Sequence, residues 1–227
     1  MREECRQKGR LTLKKFFDME NPFWQGLSIV ADMMILNLLT LVCSIPVITF
    51  GVAFTAMNRV VQRIIRQEEG SIAKDFGRAF RQNLKKGILF GLILLIAAGL
   101  LYLDYLSALT YAPIFRYGIA ALSVLVLAVA IYTFALLARY ENSLGRTIKN
   151  AVMLAIAYFP QTLAMVVFTM AFWLLGAHYY RIGAPVLFLF GFSLPCYVSV
   201  ILMRRMFERL ENEKENEKEK KNRGAEE

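Results

Sequence analysis

Long stretches of the sequence carry little or no charge, and they constrain the fold more than any other feature. A helix needs about 20 mostly apolar residues to cross about 30 Å of hydrocarbon. Six segments meet or approach this length: Trp24–Ile45, Val47–Ile65, Gly87–Leu106, Tyr117–Ala138, Ala151–Ala177 and Ile182–Met203. Hydrophobic residues make up 57% of the chain, more than a soluble domain contains. The sequence therefore predicts an all-α fold, a polytopic transmembrane helical bundle with six spans.

The positions of the basic residues predict how this bundle is oriented. Short loops rich in Lys and Arg stay on the cytoplasmic side of a membrane. All but Arg116 and Arg181 of the 27 Lys and Arg residues fall in four segments, namely 1–23, 59–86, 139–150 and 204–227. Consecutive basic segments on one side need an even number of crossings between them, so Val47–Ile65 must either cross or re-enter and return. We expect both termini in the cytoplasm.

The chain divides into three regions by composition. Residues 1–23 form a basic cytoplasmic segment, residues 24–203 form the membrane domain, and residues 204–227 form a charged tail. The tail alternates acidic and basic side chains and has too few apolar residues to build a core. We therefore predict that it is a disordered cytoplasmic segment.

An amphipathic helix is predicted over residues 71–86. Ile72, Phe76, Phe80 and Leu84 recur every four residues, and charged, mostly basic side chains lie elsewhere on the helical wheel, namely Lys74, Asp75, Arg78, Arg81 and Lys85. Such a helix lies at the cytoplasmic surface, held either by anionic lipid or by a protein partner. The candidate docking residues are Phe76, Phe80, Asn83, Arg78 and Arg81.

Polar residues in the first hairpin form a second candidate site. Asp32 lies well inside the first predicted span, where an ionised carboxylate is costly. If the first two helices form a hairpin, Asp32 faces Arg63 and Asn37 faces Arg59. Asp32 then either pairs with one of the two arginines or serves as a proton or cation coupling site.

The connection between the first two spans contains Pro46, Thr49 and Gly51 and no charge. Proline removes a backbone donor and glycine permits unusual dihedral angles. The segment is either a tight outer loop or a helix break of the kind that lines transporter cavities.

Small residues and prolines predict how other spans pack. Gly87 and Gly91 are four residues apart, with Gly99 further along the third span, and this stripe of small residues favours a close helix contact. Pro160 and Pro195 predict kinks in the fifth and sixth spans.

The sequence offers little for catalysis. It has one histidine and three scattered cysteines, too few for a His-based acid–base system or a His/Cys metal site. Nucleotide-binding and zinc-protease motifs do not occur. The basic segments alternate with apolar spans, so orientation explains them and nucleic-acid binding is not needed. We expect a protein that is not an enzyme and has no cofactor, no metal site and no catalytic residue, with the lipid bilayer as its partner.

Several segments together resemble one protein family. They are Asp32 with Asn37-Leu-Leu, Ser44-Ile-Pro-Val-Ile-Thr-Phe-Gly51, Arg66-Gln-Glu-Glu-Gly70 with Phe76, Phe80 and Asn83, and Asn142-Ser-Leu with Lys149-Asn150-Ala151. In order and spacing they are similar to the YesL-like family of bacterial integral membrane proteins, over roughly residues 10–205. Genes of that family tend to lie beside those for carbohydrate ABC importers.

The resemblance implies a place in the bacterial plasma membrane and a role in sugar uptake. The leading hypothesis is an accessory or regulatory protein that contacts ABC importer subunits through the 71–86 helix and the 142–150 segment. The alternative is a small-solute transporter or permease component with Asp32, Asn37 and the Pro46–Gly51 connection near the substrate path. Whether the chain forms homo-oligomers is left open.

Overall fold

The computed structural model describes residues 22–68, 70–111, 115–204 and 206, and this part of the chain is all-α. The helices are α1 (Pro22–Ser44), α2 (Phe50–Ile65), α3 (Ile72–Gln82), α4 (Leu84–Tyr111), α5 (Phe115–Arg139), α6 (Leu144–Ala157), α7 (Phe159–His178), α8 (Tyr180–Phe190) and α9 (Ser193–Arg204), with a 3-10 turn at Val47–Thr49. Two predicted regions lie almost entirely outside the described residues. They are the basic segment, apart from its last two residues, and the charged tail.

Four of these helices are long and apolar enough to cross a membrane, namely α1, α4, α5 and α7. Helices α8 and α9 make a fifth candidate if they are counted as one span with a bend of 58°. Leu100 and Leu103 on α4 and Leu174 on α7 are among the most exposed large apolar side chains, as expected for surfaces that face lipid. These apolar helices are those of a membrane protein, with four or five candidate spans where the sequence predicts six.

The fifth predicted span, Ala151–Ala177, is two helices rather than one. Helix α6 ends at Ala157, Tyr158 leaves the helical region with φ −111° and ψ 45°, and α7 starts at Phe159. Pro160 explains the interruption, because proline lacks an N–H and its ring clashes with the carbonyl four residues earlier. Only α7 is a candidate span.

Helices α4 and α5 form a long antiparallel hairpin. The rings of Phe90 and Phe134 lie 5.0 Å apart, and each residue is close to the end of its helix that is remote from the 112–114 connection. We call this the basic end of the bundle, because Lys85, Lys86 and Arg139 lie there.

Helix α2 lies across the basic end. Its first turn touches α4, where a Cβ on Gly51 would come within 2.7 Å of the Gly91 Cα and would also meet the Gly87 carbonyl. This confirms the predicted close contact of Gly87 and Gly91 with another helix. The second half of α2 touches the last turns of α5, because the Gln62 Nε2 donates to the Ala135 carbonyl over 2.9 Å.

Both halves of α2 therefore contact the same end of the α4–α5 hairpin. With 16 residues, α2 is about 24 Å long and does not follow the hairpin from one end to the other. The expectation that Val47–Ile65 crosses as a full span does not fit this placement. Its alternative, a segment that re-enters and returns, does.

The core of the bundle is built around α2. Most of its residues from Gly51 to Gln62 are buried, including Val52, Met57 and Val60. One apolar cluster joins α2 to α1, α3 and α9, and a second surrounds Tyr132 of α5 and joins α6, α7 and α9.

The predicted amphipathic helix is shorter than 71–86. Helix α3 ends at Gln82, and Leu84 already belongs to α4. Asn83 marks the break with φ −103° and ψ 9°. Ile72, Phe76 and Ala79 are buried against α2, so the apolar face of α3 rests on protein.

Candidate functional site

Asn37 joins α1 to the break between α8 and α9. Its side chain is fully buried. The Asn37 Nδ2 donates to the Phe188 carbonyl over 2.7 Å. Its Oδ1 accepts from the amides of Phe192 and Ser193 over 2.9 and 3.1 Å. One side chain thus satisfies a carbonyl near the end of α8 and two amides at the start of α9, which the break leaves without helical partners.

The hairpin register predicts that Asn37 faces the region of Arg59, but the hydrogen-bond partners of Asn37 lie at the α8–α9 break. The Arg59 Nη1 instead donates to the Ala138 carbonyl in the last turn of α5, over 3.0 Å. Since residues at the break are 151 to 156 positions from Asn37 in sequence, no pattern within the first hairpin could indicate them.

Asp32 pairs with neither of its predicted arginine partners. Arg63 forms a salt bridge with Asp75 of α3, and only 14% of the Arg63 side chain and 24% of the Asp75 side chain are exposed. Arg63 remains close enough to attract Asp32 electrostatically. The sequence placed Asp32 and Arg63 in the same neighbourhood, but the partner of Arg63 comes from α3.

The Pro46, Thr49 and Gly51 segment is a compact turn. The Thr49 hydroxyl lies 2.6 Å from the Cys43 carbonyl and 2.8 Å from the Pro46 carbonyl. Gly51 is already helical, and its missing side chain makes room for α4. A bend between two apolar helices lies instead at Gly191 and Phe192, with an angle of 58° between α8 and α9.

An apolar cavity of about 800 Å³ lies on one side of α2. Side chains of α2, α4, α5, α7 and α9 line it, with Phe54, Met57 and Phe192 at the α2 and α9 walls. Two lining polar groups hydrogen-bond within their own helices. Asn58 donates to the Phe54 carbonyl over 3.0 Å, and Ser123 donates to the Ile119 carbonyl over 2.9 Å. The cavity therefore suits an apolar molecule.

A polar pocket of about 260 Å³ lies on another face of α2. Five arginines line it, together with Asp75, Glu68 and two glutamines. The arginines are Arg59, Arg63, Arg66, Arg78 and Arg139. We call this space the arginine pocket. It is enclosed by α2, α3 and the end of α5, so it belongs to the basic end.

The predicted docking residues separate into two groups. Phe76 is 3% exposed, and its ring stacks with that of Phe80 at 6.1 Å within the core. The Asn83 amide donates to the Ala79 carbonyl over 3.0 Å. Arg78 and Arg81 lie on the exposed face, and 73% of the Arg78 side chain is accessible. The aromatic residues attach α3 to the bundle, so any surface for a partner is the basic face.

The described residues contain no group of three or more His, Cys, Asp or Glu side chains that could hold a metal ion.

Sequence reasoning missed the roles of Gln62 and Asn58. Both are polar and buried on α2. Thr55, Asn58 and Gln62 follow one another at intervals of three and four residues, which is a signal of a polar stripe on that helix.

Comparison with known proteins gives one family. Residues 33–105 match the family described as "Protein of unknown function, DUF624". YesL-like proteins are members of that family, so the match supports part of the resemblance seen in the sequence. It covers α1 from Met33 through most of α4, which includes the whole α2–α3 region. No curated protein and no solved structure matches the chain.

Proposed function

We propose that this protein assists or regulates carbohydrate uptake through an ABC importer in the bacterial plasma membrane, without catalysing a reaction. One structural observation carries the proposal. Two elements at the basic end present basic side chains outward, namely α3 with Arg78 and Arg81 and the start of α6 with Arg146 and Lys149. A protein that regulates an importer from the cytoplasm needs such a contact surface.

The two elements lie at the same end of the bundle. Leu144 and Ile148 of α6 pack against the cluster that contains Phe90 and Leu137, and these residues lie near the basic end. Helix α3 rests on α2 at that end. The surface is charged rather than apolar, which fits a reversible partner better than a permanent subunit.

The alternative is that the chain itself moves a small solute. The bent α8–α9 pair and the large cavity favour this function, since transporters use interrupted helices around their sites. A sugar requires many hydrogen-bond partners. The cavity lining is mostly apolar, so a transport role for this chain points to an apolar solute and leaves sugar passage to the importer.

Co-purification in mild detergent tests the accessory role. We expect importer subunits to accompany the tagged wild-type protein. They should be lost with the double variant R78E/R81E, which reverses the exposed charge on α3, and growth on the imported sugar should slow. The matched control is R181E, which reverses an exposed charge at the α7–α8 connection and should leave both results unchanged.

Importer subunits that never accompany the wild-type protein, together with unchanged sugar growth of the double variant, would overturn the accessory role. Uptake of an apolar fluorescent solute by liposomes that contain only this protein would favour the alternative.

A further inference from the structure

The arginine pocket gathers guanidinium groups around a small, partly open space. Five guanidinium groups and two carboxylates line about 260 Å³. Asp75 pairs with Arg63 and lies 4.0 Å from Arg78, and Glu68 lies 3.7 Å from Arg66. Among the groups that line the pocket, guanidinium groups therefore outnumber carboxylates, and each carboxylate already lies beside an arginine.

Helix ends contribute little against these guanidinium groups. The C-termini of α2 and α5 border the pocket, and each contributes about half a negative charge. Arg59 uses one Nη1 contact on the Ala138 carbonyl, whereas a guanidinium group has five N–H donors in a planar fork.

The size of the pocket suits a small oxyanion. Its volume equals that of about nine liquid water molecules, which accommodates a phosphate group with its first contacts. Arginine forks match phosphate oxygens in pairs, whereas isolated lysines act as point charges. Every cation that lines the pocket is an arginine.

We propose that the arginine pocket binds a phosphate group, with Arg59 and Arg78 as ligands. The phosphate belongs either to the headgroup of an anionic lipid or to a soluble phosphate compound. Anionic headgroups lie where positively charged ends of membrane helices meet the bilayer surface. This site goes beyond the proposed role in sugar uptake and does not depend on it.

The test uses the full-length protein in a maltoside detergent, which contains no phosphate. Thermal unfolding is followed during titration with inorganic phosphate, with potassium chloride at matched ionic strength, and with phosphatidylglycerol against diacylglycerol. We expect a phosphate-bearing probe to raise the unfolding temperature of the wild-type protein. R59Q should weaken the apparent affinity about tenfold, since one charge-assisted contact is lost. R181Q removes an exposed arginine outside both the pocket and the proposed contact surface and should have no effect.

The outcomes separate the two sources. A response to phosphatidylglycerol alone identifies a lipid headgroup, and a response to inorganic phosphate identifies a soluble compound. R78Q serves as the second pocket variant if R59Q does not fold, because the Arg78 side chain is 73% accessible. No response to either probe, an equal response to chloride, or equal losses in R181Q and the pocket variant would overturn the proposal.

Discussion

The capping of the α8–α9 break by Asn37 gives the sharpest prediction. In Asn37→Ala the Phe188 carbonyl and the amides of Phe192 and Ser193 lose their side-chain partner. Side-chain hydrogen bonds between membrane helices contribute about 0.6 kcal/mol on average and up to about 1.7 kcal/mol. Because three such bonds reach a fully buried amide, Asn37→Ala should lower the free energy of unfolding by about 2–4 kcal/mol. The value should lie toward the upper end of this range, because the backbone groups are left unsatisfied within the bundle.

Unfolding in mixed detergent micelles measures this loss. Dodecyl sulfate is titrated into a maltoside solution of the protein, and helix content is followed by circular dichroism. The matched control is Asn58→Ala, because Asn58 is also a mostly buried asparagine but donates only to Phe54 of its own helix. The control should lose about 1 kcal/mol or less. Equal losses in the two variants, or a loss below about 0.5 kcal/mol in Asn37→Ala, would refute the capping role.

Three further predictions concern α2 and its neighbours. Gly51→Ala should cost about 1–3 kcal/mol in the same titration, because the new methyl group would meet the backbone of α4, whereas Gly99→Ala, with nothing within 4 Å, should cost nothing. Gln67→Gly should add about 0.5–1 kcal/mol, since Gln67 has a φ of 57° that glycine adopts without strain; a loss of stability would contradict this. Ile48→Cys and Tyr117→Cys, each in a background without the native cysteines, are treated with an impermeant thiol reagent outside intact cells. Tyr117→Cys should be labelled and Ile48→Cys should not. Labelling of both variants would show that α2 crosses the membrane.

The long apolar helices were predictable because the signal is local. Helices α1, α4 and α5 follow predicted spans to within a few residues, since a charge-free run of that length has few other stable environments. The contact of Gly87 and Gly91 was predictable for a related reason, because small residues four apart leave a groove on one helix face. Neither inference needs knowledge of a distant partner.

The candidate polar site was only partly predictable, because its partners are distant in sequence. Asn37 was identified as a buried polar residue, but its partners follow more than 150 positions later. Arg63 was identified as a neighbour of Asp32, but α3 supplies Asp75, which lies closer. The register of a hairpin describes only the contacts between its two helices. Here the partners of Asn37 come from the α8–α9 break, and the partner of Arg63 comes from α3.

The amphipathic character of α2 reflects two different surroundings. Polar residues in its second half line the partly open arginine pocket, while Phe54 and Met57 line the apolar cavity. The sequence shows that the helix has a polar and an apolar face. It does not show which neighbouring helices lie against each face, because those helices are distant in sequence.

The placement of α2 also bears on the number of crossings. If α1 crosses and α2 does not, the basic segments before α1 and after α2 fall on opposite sides, which violates the preference of Lys and Arg for the cytoplasm. If α1 and α2 enter together from the basic end and return, both segments stay on one side. In that arrangement helices α4, α5, α7 and the bent α8–α9 pair would supply four crossings, and the end of α9 would lie on the same side as the start of α1. The even number that the basic residues require would then be met without a sixth span, even though α1 is long and apolar enough to cross.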